Sequence, residues 1–121
     1  MGKKILVVDD SHSIRELVKI TLTNAGYEVD EAADGLECLH KLQSNVYSLL
    51  LVDVNMPKVD GLEMVRQAKA INYLKFVPII MLTTESQSSK RMEGKEAGVT
   101  GWMVKPFKPD RLVAMIKKFL P

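Results

Sequence analysis

The feature that most constrains this chain is a strict alternation of short apolar runs with segments of helical spacing. Continuous aliphatic runs this short favour strands that are buried on both faces, as in a parallel sheet. Five such strands, each followed by a helix, predict one doubly wound α/β sandwich with right-handed crossovers. The runs cover residues 5–8, 27–32, 49–52, 77–82 and 102–104.

Polar capping residues mark the predicted starts of the first two helices. Ser13 with Glu16 matches a capping box for the first helix, and Ser11 is an alternative cap. Asp34 is placed to cap the second helix. Apolar residues recur at helical spacing in four of the helices. They are Ile14, Leu17, Val18, Thr21, Leu22 and Ala25; Leu36, Leu39 and Leu42; Leu62, Val65 and Ala68; and Leu112, Met115, Ile116 and Phe119.

The fourth helix, predicted over residues 86–97, differs from the others. Its apolar residues are Met92 and Ala97, and Gly94 costs about 1 kcal/mol relative to alanine inside a helix. We therefore expect the core to hold this helix weakly, and we expect it to be the most mobile element.

The length and composition of the chain indicate how many domains it forms and where in the cell we expect it. The 121 residues fit one domain over residues 1–121. No apolar run approaches the roughly 20 residues of a membrane span, and the amino terminus lacks the apolar core of a signal peptide. We therefore expect a soluble, cytoplasmic protein that does not bind membranes. A single cysteine, Cys38, excludes an internal disulfide and a cysteine-built zinc site.

The positions of the charged residues along the chain are more informative about function than the net charge. The formal net charge of +2 is too small to indicate nucleic-acid binding. Residues 1–60 carry six Lys and Arg against ten Asp and Glu, whereas residues 61–121 carry eleven against five. This division predicts an acidic functional centre early in the chain and a basic surface late in it. For the basic half, an uneven but merely solvated surface is the alternative.

Charged and hydroxyl side chains follow four of the predicted strands at the point where each strand ends. They are Asp9 and Asp10 after the first strand, Asp53 after the third, Thr83 after the fourth and Lys105 after the fifth. Ligands of doubly wound sheets bind beyond the carboxyl ends of the strands. Three carboxylates gathered there repel one another unless a cation lies among them, and Mg²⁺ prefers oxygen ligands. The sequence therefore predicts a magnesium site.

The same residues suit a phosphoryl group. Lys105 can pair with one anionic oxygen, and the Thr83 hydroxyl can donate a hydrogen bond to another. Asp53 can then act as a nucleophile and carry an acyl phosphate. Neutralising charge on the transferring phosphoryl group is most of what such a reaction requires.

Together these residues, at this spacing, resemble the receiver domain of two-component response regulators, and most of all its stand-alone, CheY-like chemotaxis type. The resemblance covers essentially the whole chain. It implies a flavodoxin-like fold with the strand order 2-1-3-4-5. Supporting matches are Lys105-Pro106, Met56-Pro57, Asp60-Gly61 and Ala97-Gly98.

The resemblance also implies a role for each residue of the site. Asp53 is expected to accept a phosphoryl group from a histidine kinase or a small acyl phosphate. Asp10, Asp53 and the backbone carbonyl of Asn55 would bind Mg²⁺, or Mn²⁺ as a substitute, with Asp9 contributing through water. Thr83 and Lys105 would hold phosphoryl oxygens, and the bond from Lys105 to its proline would be cis. The domain would then be no enzyme toward other molecules, since it catalyses only its own phosphorylation and dephosphorylation.

Signalling in this family implies a shift between two conformations of a monomer. Thr83 moves toward the phosphoryl group, and an aromatic residue fills the vacated space. Trp102 stands where Tyr or Phe is commoner, and we expect its larger indole to fit that space poorly. The face of the fourth helix, fifth strand and last helix would bind a downstream target, such as a flagellar motor protein or another partner with an acidic segment. The basic residues of this face are Lys90, Arg91, Lys95, Lys108 and Lys117.

Two further positions are expected to set the lifetime of the phosphate. Asn55 and Glu85 occupy variable positions that flank the acceptor in this family. Their polar side chains would orient an attacking water, which predicts comparatively fast hydrolysis by the domain itself.

Four alternatives compete with this interpretation. A flavin-binding electron carrier needs a hydroxyl- and glycine-rich phosphate loop, where this chain has Asp9, Asp10 and Ser11. An aspartate-dependent phosphatase places a second acid two residues after the nucleophile, where this chain has Asn55. The others are a phosphorylation-silent binding module and a receiver domain followed by a DNA-binding output domain.

Overall fold

The computed structural model describes residues 3–54, 61–84 and 91–120. Strands and helices alternate along this part of the chain, as the apolar pattern predicts. The strands are β1 (Lys4–Val8), β2 (Glu28–Ala32), β3 (Leu49–Asp53), β4 (Ile79–Thr84) and β5 (Gly101–Lys105). The helices are α1 (His12–Asn24), α2 (Gly35–Ser44), α3 (Gly61–Lys69), α4 (Arg91–Ala97) and α5 (Pro109–Phe119).

The strands form one parallel sheet in the order β2-β1-β3-β4-β5, which confirms the flavodoxin-like order. Val8 pairs with Val52, and Asp53 pairs with Leu82 on the next strand. All carboxyl ends therefore lie at one edge of the sheet, which is where the predicted site residues follow their strands. No helix in the described ranges is long and apolar enough to cross a lipid bilayer.

Helices cover both faces of the sheet and create two core clusters. One face packs against α2 and α3, whose buried residues include Leu42 and Val65. The opposite face packs against α1 and α5, which contribute Leu22 and Ile116. β3 is buried along its whole length, as expected for a central strand covered on both sides.

The structure shows which residues cap the first two helices, and it decides between Ser11 and Ser13 at the start of α1. The Ser11 hydroxyl accepts a hydrogen bond from the Ile14 N–H at 3.3 Å, so Ser11 caps α1. The predicted capping box of Ser13 is therefore wrong, because Ser13 already lies inside the helix. The Asp34 cap is confirmed: its carboxylate accepts from the Glu37 N–H at 2.8 Å.

Other differences from the predicted elements have local causes. β4 begins just after Pro78, which has no backbone N–H to donate but accepts at its carbonyl oxygen from the Leu50 N–H at 3.0 Å. A 3₁₀ helix over Asn72–Phe76 precedes it and has no counterpart among the predicted elements. Lys69 Nζ stabilises the end of this helix by donating to the carbonyl oxygens of Leu74 and Val77, at 3.1 and 2.9 Å. In α4, residues 86–90 of the predicted helix lie outside the described residues.

Candidate functional site

Asp9 lies directly after β1 and is fully buried. Its backbone N–H donates to the Ala32 carbonyl at 3.1 Å, which extends the pairing with β2 by one residue. The carboxylate accepts from the Ser11 N–H at 2.9 Å through Oδ1 and from Lys105 Nζ at 2.8 Å through Oδ2. Because a buried carboxylate is costly without partners, these two donors account for its place inside the fold.

Asp53 is the last residue of β3, and only 5% of it is exposed. Helix α3 begins against its backbone: a Cβ on Gly61 would lie 2.3 Å from the Asp53 carbonyl oxygen. The Gly61 N–H also donates to the Val54 carbonyl at 3.0 Å. Only glycine permits so close an approach, which gives a structural reason for the glycine at position 61.

Lys105, the last residue of β5, joins the two buried acids. Its Nζ lies 2.8 Å from Asp9 Oδ2 and 3.5 Å from Asp53 Oδ2. The next peptide bond, from Lys105 to Pro106, is cis, as the resemblance implies. The sheet therefore gathers the ends of β1, β3 and β5 around one ammonium group.

The three carboxylates form a cluster with the donor chemistry of a magnesium site. One oxygen each from Asp9, Asp10 and Asp53 lies within 4.8 Å of the others. Three carboxylates and the Lys105 ammonium leave two negative charges, which one divalent cation would neutralise. Asp10 is exposed, so the cluster opens to solvent on one side. These residues fit Mg²⁺, which binds through one or two carboxylates and keeps several waters.

Thr83 and Trp102 lie on adjacent strands beside this cluster. Thr83 is fully buried, and its Oγ1 accepts a hydrogen bond from the Trp102 indole N–H at 2.9 Å. The hydroxyl proton therefore remains available to donate elsewhere, because an indole N–H is only a donor.

The Trp102 ring packs against the core beside α4. The expectation that the indole fits poorly in the space vacated by Thr83 concerns the phosphorylated conformation and stays a prediction. A Cβ on Gly94 would lie 2.6 Å from Cζ3 of the indole, so Gly94 makes the space for the ring. The sequence pattern showed Gly94 only as a cost to the helix, because the contact joins two elements and has no local signature.

Some of the predicted functional residues lie outside the part of the chain that the structure describes. Asn55 and Glu85 lie outside the described residues, as does Lys90 of the basic face. Arg91 is described as the first residue of α4. Lys95, Lys108 and Lys117 are exposed, as a basic surface requires.

An open groove of about 780 Å³ lies along β5 and α5, and Lys108 is one of its lining residues. Apolar side chains, basic side chains and one acidic side chain, that of Asp110, line it. Its lining includes Val104, Phe107, Lys108, Arg111, Met115 and Lys118.

One residue at the site was missed by the sequence pattern. Arg15, on α1, donates through Nη1 to the carbonyl oxygen of Asp9 at 2.6 Å. The available signal was its place four residues after the Ser11 cap, which turns it toward the loop that carries the acids.

Fold and site together define a doubly wound α/β domain with an acidic cluster and a lysine at the carboxyl edge of its sheet. Residues 5–117 match the family described as the response regulator receiver domain. The chain belongs to this family. Receiver domains are phosphorylated by histidine kinases and bind downstream targets.

Relatives of the chain fall into two groups of different length. Chemotaxis protein CheY1 of Helicobacter pylori (strain J99) is 44% identical over 111 residues, covering 90% of each chain. The solved structure of chemotaxis response regulator CheY4 of Vibrio cholerae is 47% identical with a TM-score of 0.94, covering 98% of this chain and 99% of that one. Transcriptional regulatory protein ResD of Bacillus subtilis is 44% identical over 118 residues, covering 97% of this chain but 48% of the relative. The chain thus spans about half the length of its transcriptional relative.

Proposed function

We propose that Asp53 accepts a phosphoryl group from the phosphohistidine of a histidine kinase, or from a small acyl phosphate, in a Mg²⁺-dependent reaction. The observation that carries this proposal is the Lys105 ammonium between two buried carboxylates, 2.8 Å from Asp9 and 3.5 Å from Asp53. A sheet edge that concentrates this much charge in a buried place is typical of a reaction centre.

The proposed step is a displacement at phosphorus. An Asp53 carboxylate oxygen attacks, an O–P bond forms and the N–P bond of the donor breaks. The electron pair of that bond leaves with the ring nitrogen of the donor histidine, which then takes up a proton. In this proposal Lys105 balances charge on the phosphoryl oxygens, and the Thr83 hydroxyl donates a hydrogen bond to one of them.

The acidic cluster is the proposed place for the metal. Asp10 and Asp53 would hold Mg²⁺ directly and Asp9 through water, with Mn²⁺ as a substitute. The Asn55 carbonyl, outside the described residues, is the proposed third protein ligand. When bound, Mg²⁺ adds positive charge beside the phosphoryl oxygens.

The proposed catalysis is confined to the domain itself. Asp53 is phosphorylated, water then hydrolyses the acyl phosphate to the Asp53 carboxylate and inorganic phosphate, and no external substrate is turned over. We propose that Asn55 and Glu85 orient the attacking water and so set the lifetime of the phosphate.

We further propose that phosphorylation switches partner binding through Thr83, Trp102 and the groove along β5 and α5. The groove combines apolar side chains with three exposed basic residues and one exposed acid, Asp110. This excess of basic side chains suits an acidic, amphipathic segment of a target. The nearly full coverage of the CheY1 and CheY4 chains supports a chemotaxis-type role. The proposed target is a flagellar motor protein or another partner with an acidic segment. The proposed context is a monomer in the cytoplasm.

The test uses the emission of Trp102, the single tryptophan of the chain. Acetyl phosphate is added to the protein with Mg²⁺, and the intact mass is then measured. We expect one added phosphoryl group and a change in emission in the wild type, and neither in Asp53→Ala. Lys19→Ala, which alters an exposed lysine of α1, is the matched control and is expected to behave as the wild type. Phosphorylation of Asp53→Ala to the same extent would contradict the assignment of the acceptor.

A further inference from the structure

Arg15 connects the acidic cluster to the neighbouring strand β2. Its side chain is only 14% exposed. Nη1 donates to the carbonyl oxygen of Asp9 at 2.6 Å, and Nε donates to Glu31 Oε1 at 3.3 Å. One rigid guanidinium therefore holds the loop after β1 and the end of β2 at the same time.

The carbonyl that Arg15 holds belongs to the peptide between Asp9 and Asp10. Because a peptide is planar, fixing its oxygen also fixes the direction in which the chain enters Asp10. In the described part of the chain, the Asp10 carboxylate accepts no hydrogen bond of its own. The position of this carboxylate in the cluster therefore depends on the backbone, which Arg15 orients.

Lys19 allows the effect of charge to be separated from that of position. It lies one turn further along α1, and its Nζ is 3.5 Å from Glu31 Oε2. It thus shares the acidic partner of Arg15 and makes no contact with Asp9. A cation near the cluster opposes metal binding by repulsion, so any gain in affinity that comes from Arg15 must come from position.

We propose that Arg15 is a positioning residue of the magnesium site. By donating hydrogen bonds to both the Asp9 carbonyl oxygen and Glu31, it fixes the position of the Asp10 carboxylate. This inference rests on the proposed function, since it requires that the cluster binds Mg²⁺. Groups that orient metal ligands without touching the metal commonly change affinity by about 10- to 100-fold when they are removed.

The decisive variant is Arg15→Lys, which keeps the charge but lacks the two-donor fork that spans Asp9 and Glu31. Lys19→Met is the matched control, because it removes a charge beside Glu31 and leaves the fork intact. The double variant Glu31→Met with Lys19→Met removes the acceptor that anchors Arg15 at constant net charge, and it carries the test if Arg15→Lys does not fold. Mg²⁺ affinity is measured by calorimetric titration with MgCl₂, and folding by circular dichroism without Mg²⁺.

We expect Arg15→Lys to bind Mg²⁺ about tenfold more weakly than the wild type. This is the lower end of the range of about 10- to 100-fold, because Asp10 is exposed. The double variant is expected to shift affinity in the same direction, and Lys19→Met is expected to bind as tightly as the wild type or slightly more tightly. Wild-type affinity in a folded Arg15→Lys, or in the double variant where Arg15→Lys does not fold, would overturn the inference and leave the proposed function standing. Absence of Mg²⁺ binding in the wild type would overturn both.

Discussion

Asp30, on β2, shows how the surroundings of one residue set its charge. The Tyr47 hydroxyl donates to Asp30 Oδ2 at 2.6 Å, and Lys41 Nζ donates to Oδ1 at 3.1 Å. Burial acts to raise the pKa of this carboxyl, but the hydrogen bonds from Tyr47 and Lys41 outweigh it and hold the pKa below its ordinary value. The same contacts tie β2 to α2 and to the loop before β3.

The lowered pKa predicts how stability depends on pH. A carboxyl whose pKa is lower in the folded state stabilises the fold above its unfolded pKa of about 3.9, and this contribution is lost as the pH falls through the folded value. We expect Asp30→Asn to reduce the free energy of unfolding by about 1 kcal/mol near pH 7. The difference from the wild type should shrink as the pH falls below about 4.

Urea unfolding of both proteins near pH 7 and near pH 3 measures this change. Glu28→Gln, which alters an exposed acid of the same strand, is the control and should show little effect at either pH. A difference for Asp30→Asn that is equally large at both pH values would rule out the assigned cause.

At the scale of single residues, the sequence predicts those site residues whose position follows from a strand end. Asp9, Asp53 and Lys105 are of this kind, because the carboxyl ends of parallel strands meet at one edge. Arg15 is different: helical periodicity assigns it to a polar surface, and only the folded chain shows its guanidinium returning to the Asp9 carbonyl. Long side chains escape prediction in this way because their polar ends lie far from their Cα atoms.

At the scale of helices and strands, contacts between two elements explain features that the sequence pattern of either element alone does not predict. β2, β3 and β5 lie within one residue of their predicted bounds, because continuous apolar runs define buried strands. Helix α4 is poorly defined by its own composition, and its buried Gly94 makes sense only beside the Trp102 ring on β5.

Gly94→Ala tests this contact between α4 and β5. Alanine favours a helix by up to about 1 kcal/mol over glycine, but its Cβ would lie 2.6 Å from Cζ3 of the indole. We expect the ring to move and to lose its hydrogen bond to Thr83, so Trp102 emission should shift to longer wavelength. Glu96→Ala is the control, since it raises helix propensity at an exposed position of the same helix. An unchanged emission spectrum in Gly94→Ala would contradict the close packing.

At the scale of the whole molecule, the sheet joins residues that are far apart in the chain. Asp9 and Lys105 are separated by 96 positions and form an ion pair of 2.8 Å. Strict alternation of strands and helices predicts this meeting, because it makes the strands parallel and so places all their carboxyl ends at one edge of the sheet. Distances, caps and the 3₁₀ helix follow from side-chain packing, which periodicity does not encode.

Charge at this edge couples the stability of the whole fold to Mg²⁺. Without a cation, the carboxylates of Asp9, Asp10 and Asp53 repel one another within 4.8 Å. Asp10→Asn removes one of these charges, so we expect the variant to be more stable than the wild type by about 1 kcal/mol in the presence of EDTA. A folded state that binds Mg²⁺ is stabilised by it. The gain in the free energy of unfolding rises with the logarithm of the ratio of the Mg²⁺ concentration to the dissociation constant.

In millimolar MgCl₂ the order of the two proteins should therefore reverse. The wild type gains stability from binding, whereas Asp10→Asn lacks one ligand and gains little. Urea unfolding of both proteins, with EDTA and with MgCl₂, measures the four free energies. Glu96→Gln, an exposed acid on α4, should change stability equally under both conditions. An equal gain from Mg²⁺ in Asp10→Asn and in the wild type would show that Asp10 does not hold the ion.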